Sequence, residues 1–236
     1  NSLVGERDGS NVGESGVFAL SNGNYVVSSN NWVNVSGESV GAVTFGDGNT
    51  GRVGTVASSN SLVGAIDGDK VGNFITVLTN GNYVVVSNKA AVVGQSSAIS
   101  SAGAVTWVSG INGSIAGSAS AGGTISASNS LVGSSANTQV GSDGLNNTVM
   151  ALSNGNYVVL SSRESINENA DAGAATFVNG SNGQLIGGAF GGSITSANSL
   201  VGSSRFDAVG STFVALSNGN YVVGSSGWDA GLLGNA

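Results

Sequence analysis

The acidic residues of two glycine-rich turns are the first candidates for chemistry in this sequence. "ERDGSN" contains Glu6 and Asp8, and "AIDGDK" contains Asp67 and Asp69. Hard cations such as Ca²⁺ need several oxygen ligands, and carboxylates in a turn can supply them. An aspartate in a glycine-rich turn also commonly bonds to its own backbone and so shapes the turn. Two hypotheses therefore stand for Asp8, Asp67 and Asp69: calcium ligands, or residues that build the turns.

Two tryptophans are the candidates for binding an organic ligand. Trp32 and Trp228 occupy matching places in polar loops, each shortly after a "YVV" motif. An exposed indole surrounded by Asn, Ser and Asp side chains is suited to stacking on a sugar ring. The sequence therefore predicts a ligand-binding role for both, with packing as the alternative. Phe45, Trp107 and Phe177 each end a "GAVT"-type strand among apolar residues, which predicts that they pack between neighbouring repeats.

Catalysis is not expected from this set of residues. The chain has no His and no Cys, so neither a Ser–His nor a Cys–His pair can form. The acids lie scattered over loops and do not recur as a pair at equivalent positions. The glycine-rich stretches lack the lysine and the strand–loop–helix context of a phosphate-binding loop. We predict that the protein is not an enzyme and needs no cofactor, with calcium as the one alternative.

The charge of the chain limits its partners. Six Lys and Arg residues against thirteen Asp and Glu residues give a net charge of −7. Such a surface repels phosphate groups, so neither nucleic acid nor an anionic membrane is an expected partner. No segment approaches the roughly 18 apolar residues that a membrane-spanning helix requires, so membrane insertion is not expected. Only 8% of the residues are charged, so Ser, Thr, Asn and Gly must form the surface.

Internal repetition sets the architecture that must position these residues. "NSLVG" begins at residues 1, 60, 129 and 198, and "[ST]NGNYVV" begins at residues 21, 79, 153 and 217. Repetition at such a period indicates one structural unit for each copy. We therefore predict a single repeat domain over residues 1–236. Its units are 1–59, 60–128, 129–197 and 198–236.

Each unit is predicted to contain about four short strands. "NG" between "AL" and "NYVV" is a strong hairpin signal, because the tight turn needs positive φ. "GAVTF"-type segments and "NSLVG" supply further strands. This all-β pattern predicts a small β-propeller of about four blades with four-stranded units, and a β-solenoid is the alternative. The last unit ends "DAGLLGNA" without a fourth strand, so we expect Asn1–Gly5 to complete it and close the ring.

The order of the motifs resembles two groups of repeats. An apolar run, an "NG" turn, a "VV" strand and "GAV" before an aromatic residue resemble the FG-GAP repeats of integrin-like propellers. "NSLVG", "LSNGNYVV" and "GAVTW" resemble repeats of very large secreted bacterial surface proteins, including filamentous-haemagglutinin-like ones. The FG-GAP resemblance implies calcium binding in the hairpin turn, but Ser21–Asn24 contains no carboxylate, so that site is not carried over. The second resemblance implies an extracellular or cell-surface location.

We therefore expect a non-enzymatic extracellular repeat module of a bacterial surface protein, with an adhesive or spacing role. One alternative is a carbohydrate-binding propeller that uses Trp32 and Trp228. Another is a structural fibre subunit that self-assembles through open sheet edges. The expected partners are cell-surface glycans or copies of the chain itself. Because the sequence starts inside a repeat at Asn1, we expect it to be a piece of something longer.

Overall fold

The computed structural model describes residues 2–91 and 99–229, and these residues form eighteen β-strands. No helix occurs in these two ranges, so they contain no candidate for a membrane-spanning helix. The prediction of an all-β repeat fold is confirmed. The strands are β1 (Leu3–Val4), β2 (Gly16–Ala19), β3 (Tyr25–Ser29), β4 (Ala42–Gly46), β5 (Gly54–Thr55), β6 (Ser61–Val63), β7 (Phe74–Val77), β8 (Tyr83–Ser87), β9 (Ala104–Val108), β10 (Gly123–Thr124), β11 (Leu131–Val132), β12 (Val149–Ala151), β13 (Tyr157–Ser161), β14 (Ala174–Val178), β15 (Gly192–Ser193), β16 (Leu200–Val201), β17 (Thr212–Ala215) and β18 (Tyr221–Gly224).

Each repeat forms a hairpin at its "NGN" motif. In the first, β2 and β3 pair antiparallel, with Ala19 opposite Tyr25. The N–H of Leu20 donates to the carbonyl oxygen of Asn24 at 2.8 Å, which leaves a loop of three residues between them. Gly23 in this loop has a φ of 89°, a conformation that glycine adopts without the steric cost of a side chain. The predicted hairpins are confirmed, and only the glycine of the "NG" pair needs the left-handed conformation.

The strands assemble into sheets that are offset from the sequence units. The first sheet has the order β10-β6-β4-β3-β2, the second β15-β11-β9-β8-β7, and the third β12-β13-β14-β16. Neighbours are antiparallel except in the pairs β1–β5, β6–β10 and β11–β15, which are parallel. Each internal "NSLVG" strand thus completes the sheet of the preceding repeat. The described strands form no closed barrel.

The sheets stack face to face, and three apolar clusters fill the spaces between them. We call these spaces the first, second and third junctions. The first joins Val26 and Leu62 of the first sheet to Tyr83 and Val85 of the second. The second joins Val84 and Trp107 of the second sheet to Tyr157 and Val159 of the third. The third joins Leu152 and Val158 of the third sheet to Phe213 and Val223 of the last hairpin, β17–β18.

This stacking explains why each central strand contains an uninterrupted apolar run. In β8, Tyr83 and Val85 pack in the first junction, whereas Val84 and Val86 pack in the second. All four side chains are at most 1% exposed. Successive residues of a strand point to opposite faces, so a sheet that is covered on both faces needs an uninterrupted apolar run. "YVVV" at this position meets that requirement.

The last repeat contributes a two-stranded sheet, β17–β18, among the described residues. Residues 230–236, where the third strand of this unit would follow, lie outside the described residues. β1 pairs in parallel with β5, and no strand pairing in the described ranges joins β1 to the last hairpin. Completion of the last unit by Asn1–Gly5 therefore stays a prediction.

Candidate functional site

The four hairpin loops contact one another along the stack. We call the loops 20–24, 78–82, 152–156 and 216–220 the turn ladder. The hydroxyl of Ser21 donates to the carbonyl oxygen of Thr79 at 3.4 Å. The hydroxyl of Thr79 donates to the carbonyl oxygen of Ser153 at 3.5 Å. The hydroxyl of Ser153 donates to the carbonyl oxygen of Ser217 at 3.2 Å. These bonds are long and individually weak, but all run in one direction. Each turn donates to the following turn and accepts from the preceding one.

The second asparagine of the "NGN" motif links two repeats. The Oδ1 atom of Asn82 accepts the N–H of Gly110 in its own repeat at 3.0 Å. The Nδ2 atom of Asn82 donates to the carbonyl oxygen of Gly180 in the next repeat at 2.9 Å. Asn24 makes the same two bonds with Gly48 and Gly110. Because these amides satisfy backbone groups, their loss would leave polar groups unpaired at the junction, at about 1–3 kcal/mol for each buried group.

The carbonyl oxygen of Gly180 gathers three donors from the second repeat. It accepts Nδ2 of Asn80 at 2.9 Å, Nδ2 of Asn82 at 2.9 Å and Nε1 of Trp107 at 2.8 Å. Trp107 is 8% exposed and lies in the second junction, so the prediction that it packs between neighbouring repeats is confirmed. Phe45 and Phe177 pack against the first and third junctions in the same way.

These contacts explain why the "NGN" motif is repeated without variation. A hairpin alone requires only the glycine, but the turn ladder also requires both asparagine amides. The glycine has a second role at the contact, because a Cβ on Gly81 would lie 3.0 Å from Nδ2 of Asn22 in the preceding turn. Sequence reasoning assigned the motif to a turn and missed its role between repeats. The available signal was that both asparagines, and not only the glycine, are identical in all four copies.

The structure separates the two predicted ligand-binding tryptophans. Trp32 is 3% exposed and clusters with Val40 and Val56, with Leu3 packed against the same group. The prediction of an exposed indole is wrong for Trp32, because these apolar neighbours cover the ring. Trp228 follows the last hairpin and is 38% exposed. The two side chains lie at opposite ends of the stack and do not share one site.

A cavity lies beside Trp32 on the first sheet. Its volume is about 250 Å³, and Glu6, Asn34 and Val56 are among the residues that line it. The indole N–H of Trp32 has no hydrogen-bond partner in the described part of the chain, but this nitrogen is buried from solvent. The cavity therefore does not present that donor to a ligand, and we assign no ligand to it.

The three predicted calcium ligands do not converge into one site. Asp69 is 1% exposed, and its carboxylate accepts three backbone N–H groups at 2.7–2.9 Å, those of Ala65, Ile66 and Ala91. Asp8 and Asp67 are exposed. Over residues 2–91 and 99–229 no three His, Cys, Asp or Glu side chains group as metal ligands do. The contacts of Asp69 correspond to the second hypothesis, in which the carboxylate builds its turn.

A buried carboxylate equivalent to that of Asp69 occurs in the last repeat. Asp207 is fully buried and accepts the N–H groups of Ser203 and Ser204 at 2.8 and 2.9 Å. Burial raises the pKa of Asp69, although its hydrogen bonds act to lower it. Both carboxylates thus accept backbone N–H groups of residues three and four positions before them, as a side chain that shapes its own turn does.

Glu164, at the boundary between the second and third repeats, is expected to make the stability of the fold depend on pH. It is fully buried, and its Oε1 atom accepts both the N–H and the hydroxyl of Ser134. Burial raises the pKa of Glu164 above its ordinary value of 4.5. The folded state therefore holds this proton to a higher pH than the unfolded state, and stability is lost as the pH rises through the folded-state pKa.

Glu164→Gln is expected to keep the Ser134 contact and to remove this loss. The stability of the variant should fall less than that of the unchanged chain as the pH rises above about 4.5, the ordinary pKa of this carboxyl group. Urea unfolding at several pH values measures the difference. Glu168→Gln removes the same charge at an exposed position of the same loop and serves as control. An equal pH slope in Glu164→Gln and the unchanged chain would contradict this expectation.

A comparison with protein families finds one repeat. The model of a repeat of unknown function, DUF5650, matches residues 19–73, 77–142, 151–211 and 215–236. Each match begins at the last residue of the first hairpin strand and therefore includes the complete turn. The first three run through the next "NSLVG" strand, so each contains the second to fourth antiparallel strands of one sheet. A search among curated proteins finds no match to the chain.

Proposed function

We propose, from the premise that the chain belongs to the DUF5650 repeat family, that it is a non-enzymatic structural module. It acts as a rigid spacer that holds variable loops at fixed distances. The observation that carries this proposal is the linkage of consecutive repeats by both the turn ladder and the apolar junctions. The most regular residues of the sequence are thus used to bind one repeat to the next, and not to surround a ligand.

The junctions support rigidity because they are packed as protein cores are. Val84, Val158 and Leu152 are at most 1% exposed, although each lies at a contact between two sheets. Burying such a side chain contributes roughly 1.5–3 kcal/mol. In a repeat protein these nearest-neighbour contacts set the stability of the whole array. Separate motion of one repeat would therefore expose several apolar side chains at once.

We propose further that the sheets are blades of the propeller type. In place of the ring closure through Asn1–Gly5 that the sequence predicts, we propose an open array, since β1 pairs with β5 of the first unit. The antiparallel four-stranded meander and the face-to-face stacking favour this interpretation over the solenoid. A solenoid would pair strands of successive coils in parallel along their length. Here the parallel pairs are the short contacts β1–β5, β6–β10 and β11–β15.

We propose an extracellular or cell-surface location in bacteria on the resemblance to secreted surface proteins. A surface with few charges and abundant Ser, Thr and Asn offers many hydrogen bonds, and this supports an adhesive role for the variable loops. The carbohydrate-binding alternative has weaker support, since Trp32 is buried and Trp228 alone offers a partly exposed indole.

Distance measurements between spin labels test the spacer role. The chain contains no cysteine, so labels attach only at introduced positions. Val35→Cys in the first repeat and Ile186→Cys in the third lie at sites that are 66% and 57% exposed. We expect a single narrow distance distribution for this pair, because the repeats are fixed to one another.

The pair Val35→Cys and Val53→Cys lies within one repeat and serves as control, since it gives the width that the labels alone produce. A distribution across repeats that is much broader than the control, or that has several maxima, would show independently moving repeats. The spacer role would then be wrong.

A further inference from the structure

We infer that the two outer faces of the stack bind each other, so that the chain associates head to tail with a second copy of itself. This inference rests on the proposed spacer role and names the partner of that spacer. The leading face lies on the first sheet and the trailing face on the last hairpin. They consist of Val17, Ala19 and Tyr25, and of Val214, Leu216 and Val222, respectively.

The trailing face exposes residues whose equivalents are buried at the junctions. Val222 is 54% exposed, whereas its equivalents are 0% exposed: Val26, Val84 and Val158. Leu216 is 39% exposed, whereas its equivalents are at most 5% exposed: Leu20, Leu78 and Leu152. The sequence is the same at these positions, so the difference comes from position in the stack. Among the described residues, no sheet follows the last hairpin.

The leading face is the other half of the same contact. Val17 is 63% exposed. Its equivalents in the later repeats lie in or against the three junction clusters: Ile75, Val149 and Phe213. Each cluster therefore brings a residue of the Val17 type together with one of the Val222 type. The two outer faces are the separated halves of a contact that the chain already makes three times.

The ends of the turn ladder are complementary as well. At the trailing end, the hydroxyl of Ser217 and the side-chain amides of Asn218 and Asn220 donate to no described residue. At the leading end, the carbonyl oxygens of Ser21 and Gly48 accept from no described residue either. Donors thus lie at one end and acceptors at the other. A head-to-tail contact pairs them, whereas two trailing faces would bring donors against donors.

This geometry predicts a heterologous contact that can continue from chain to chain. It differs from pairing through sheet edges, because its main contacts are apolar faces and turn amides. The last "NSLVG" strand is also more exposed than its internal equivalents. Leu200 is 57% exposed, while its equivalents Leu62 and Leu131 are 2% and 3% exposed.

Light scattering over a hundredfold range of concentration tests this inference on the chain of residues 1–236. The mass of the unchanged chain should rise above its monomer value of 22.8 kDa as the concentration increases. Val222→Asp and Val17→Asp each block one face at an exposed position, so each variant alone should stay monomeric. Leu145→Asp is the matched control. It lies away from both faces, is 86% exposed, and should associate normally.

An equal mixture of Val222→Asp and Val17→Asp is the decisive sample, because the two substituted faces carry like charges and repel each other. The leading face of the first variant and the trailing face of the second are intact, so the mixture should reach twice the monomer mass and stop there. A constant monomer mass of the unchanged chain, loss of association in Leu145→Asp, or growth of the mixture beyond a dimer would overturn the inference. A narrow label distance in a chain that stays monomeric would leave the spacer role in place and reject only the head-to-tail contact.

Discussion

Gly180→Ala is expected to destabilise the chain by more than about 3 kcal/mol, the range of severe single substitutions. A Cβ at this position would lie 1.7 Å from the carbonyl oxygen of Gly155. That atom belongs to the backbone of a hairpin loop and cannot rotate away as a side chain would. Any shift of residue 180 also moves the carbonyl oxygen that accepts Asn80, Asn82 and Trp107. The substitution therefore combines a backbone clash with the loss of three hydrogen bonds between repeats.

Urea unfolding followed by circular dichroism measures this loss, and Gly187→Ala is the control. Gly187 has a φ of 91°, but no described atom lies within 4 Å of the place that a Cβ would take. Its substitution therefore reports the cost of the left-handed conformation alone, which is about 1–2 kcal/mol. Gly180 itself has no positive φ, so its whole loss comes from the close approach, and a loss no larger than that of Gly187→Ala would contradict the expected severe clash.

The hairpins could be predicted because their signal is local. Gly23 and its equivalents need a left-handed backbone, and the apolar residues on each side alternate or run without interruption. Turn chemistry and strand pattern are properties of about ten neighbouring residues, so they can be read without knowing what else packs there. The repeat count follows in the same way, and the DUF5650 matches confirm four units.

Properties that depend on distant segments could not be predicted. The "NSLVG" strand opens each sequence unit, yet β6 pairs with β4 and so belongs to the preceding sheet. Trp32 lies in a polar loop, which favours exposure, but Leu3 and Val56 come from elsewhere in the chain and cover it. The role of Asn82 is also non-local, since its partners are Gly110 and Gly180. Each of these features depends on how sheets stack, which strand pattern alone does not specify.

Leu152→Ala and Leu216→Ala are expected to differ greatly in cost, although the two leucines are equivalent positions of the repeat. Leu152 is 1% exposed and belongs to the third junction, whereas Leu216 is 39% exposed on the trailing face. Removing a buried leucine side chain costs about 2–5 kcal/mol, because contacts are lost and a cavity remains. At Leu216 the surrounding space is already open, so we expect a loss below about 1 kcal/mol.

The two variants differ only in how the leucine is packed, because the local sequence and the hairpin are the same at both sites. "ALSNGNYVV" surrounds each leucine, so propensity, turn type and strand pairing cancel between the variants. Urea unfolding at a concentration where the chain is monomeric measures only the difference in stacking. Similar losses at both sites would show that the last hairpin is covered as the internal ones are, and the trailing face would not exist. A large loss at Leu152 alone would show that a following sheet, and not the repeat sequence itself, makes this leucine part of a core.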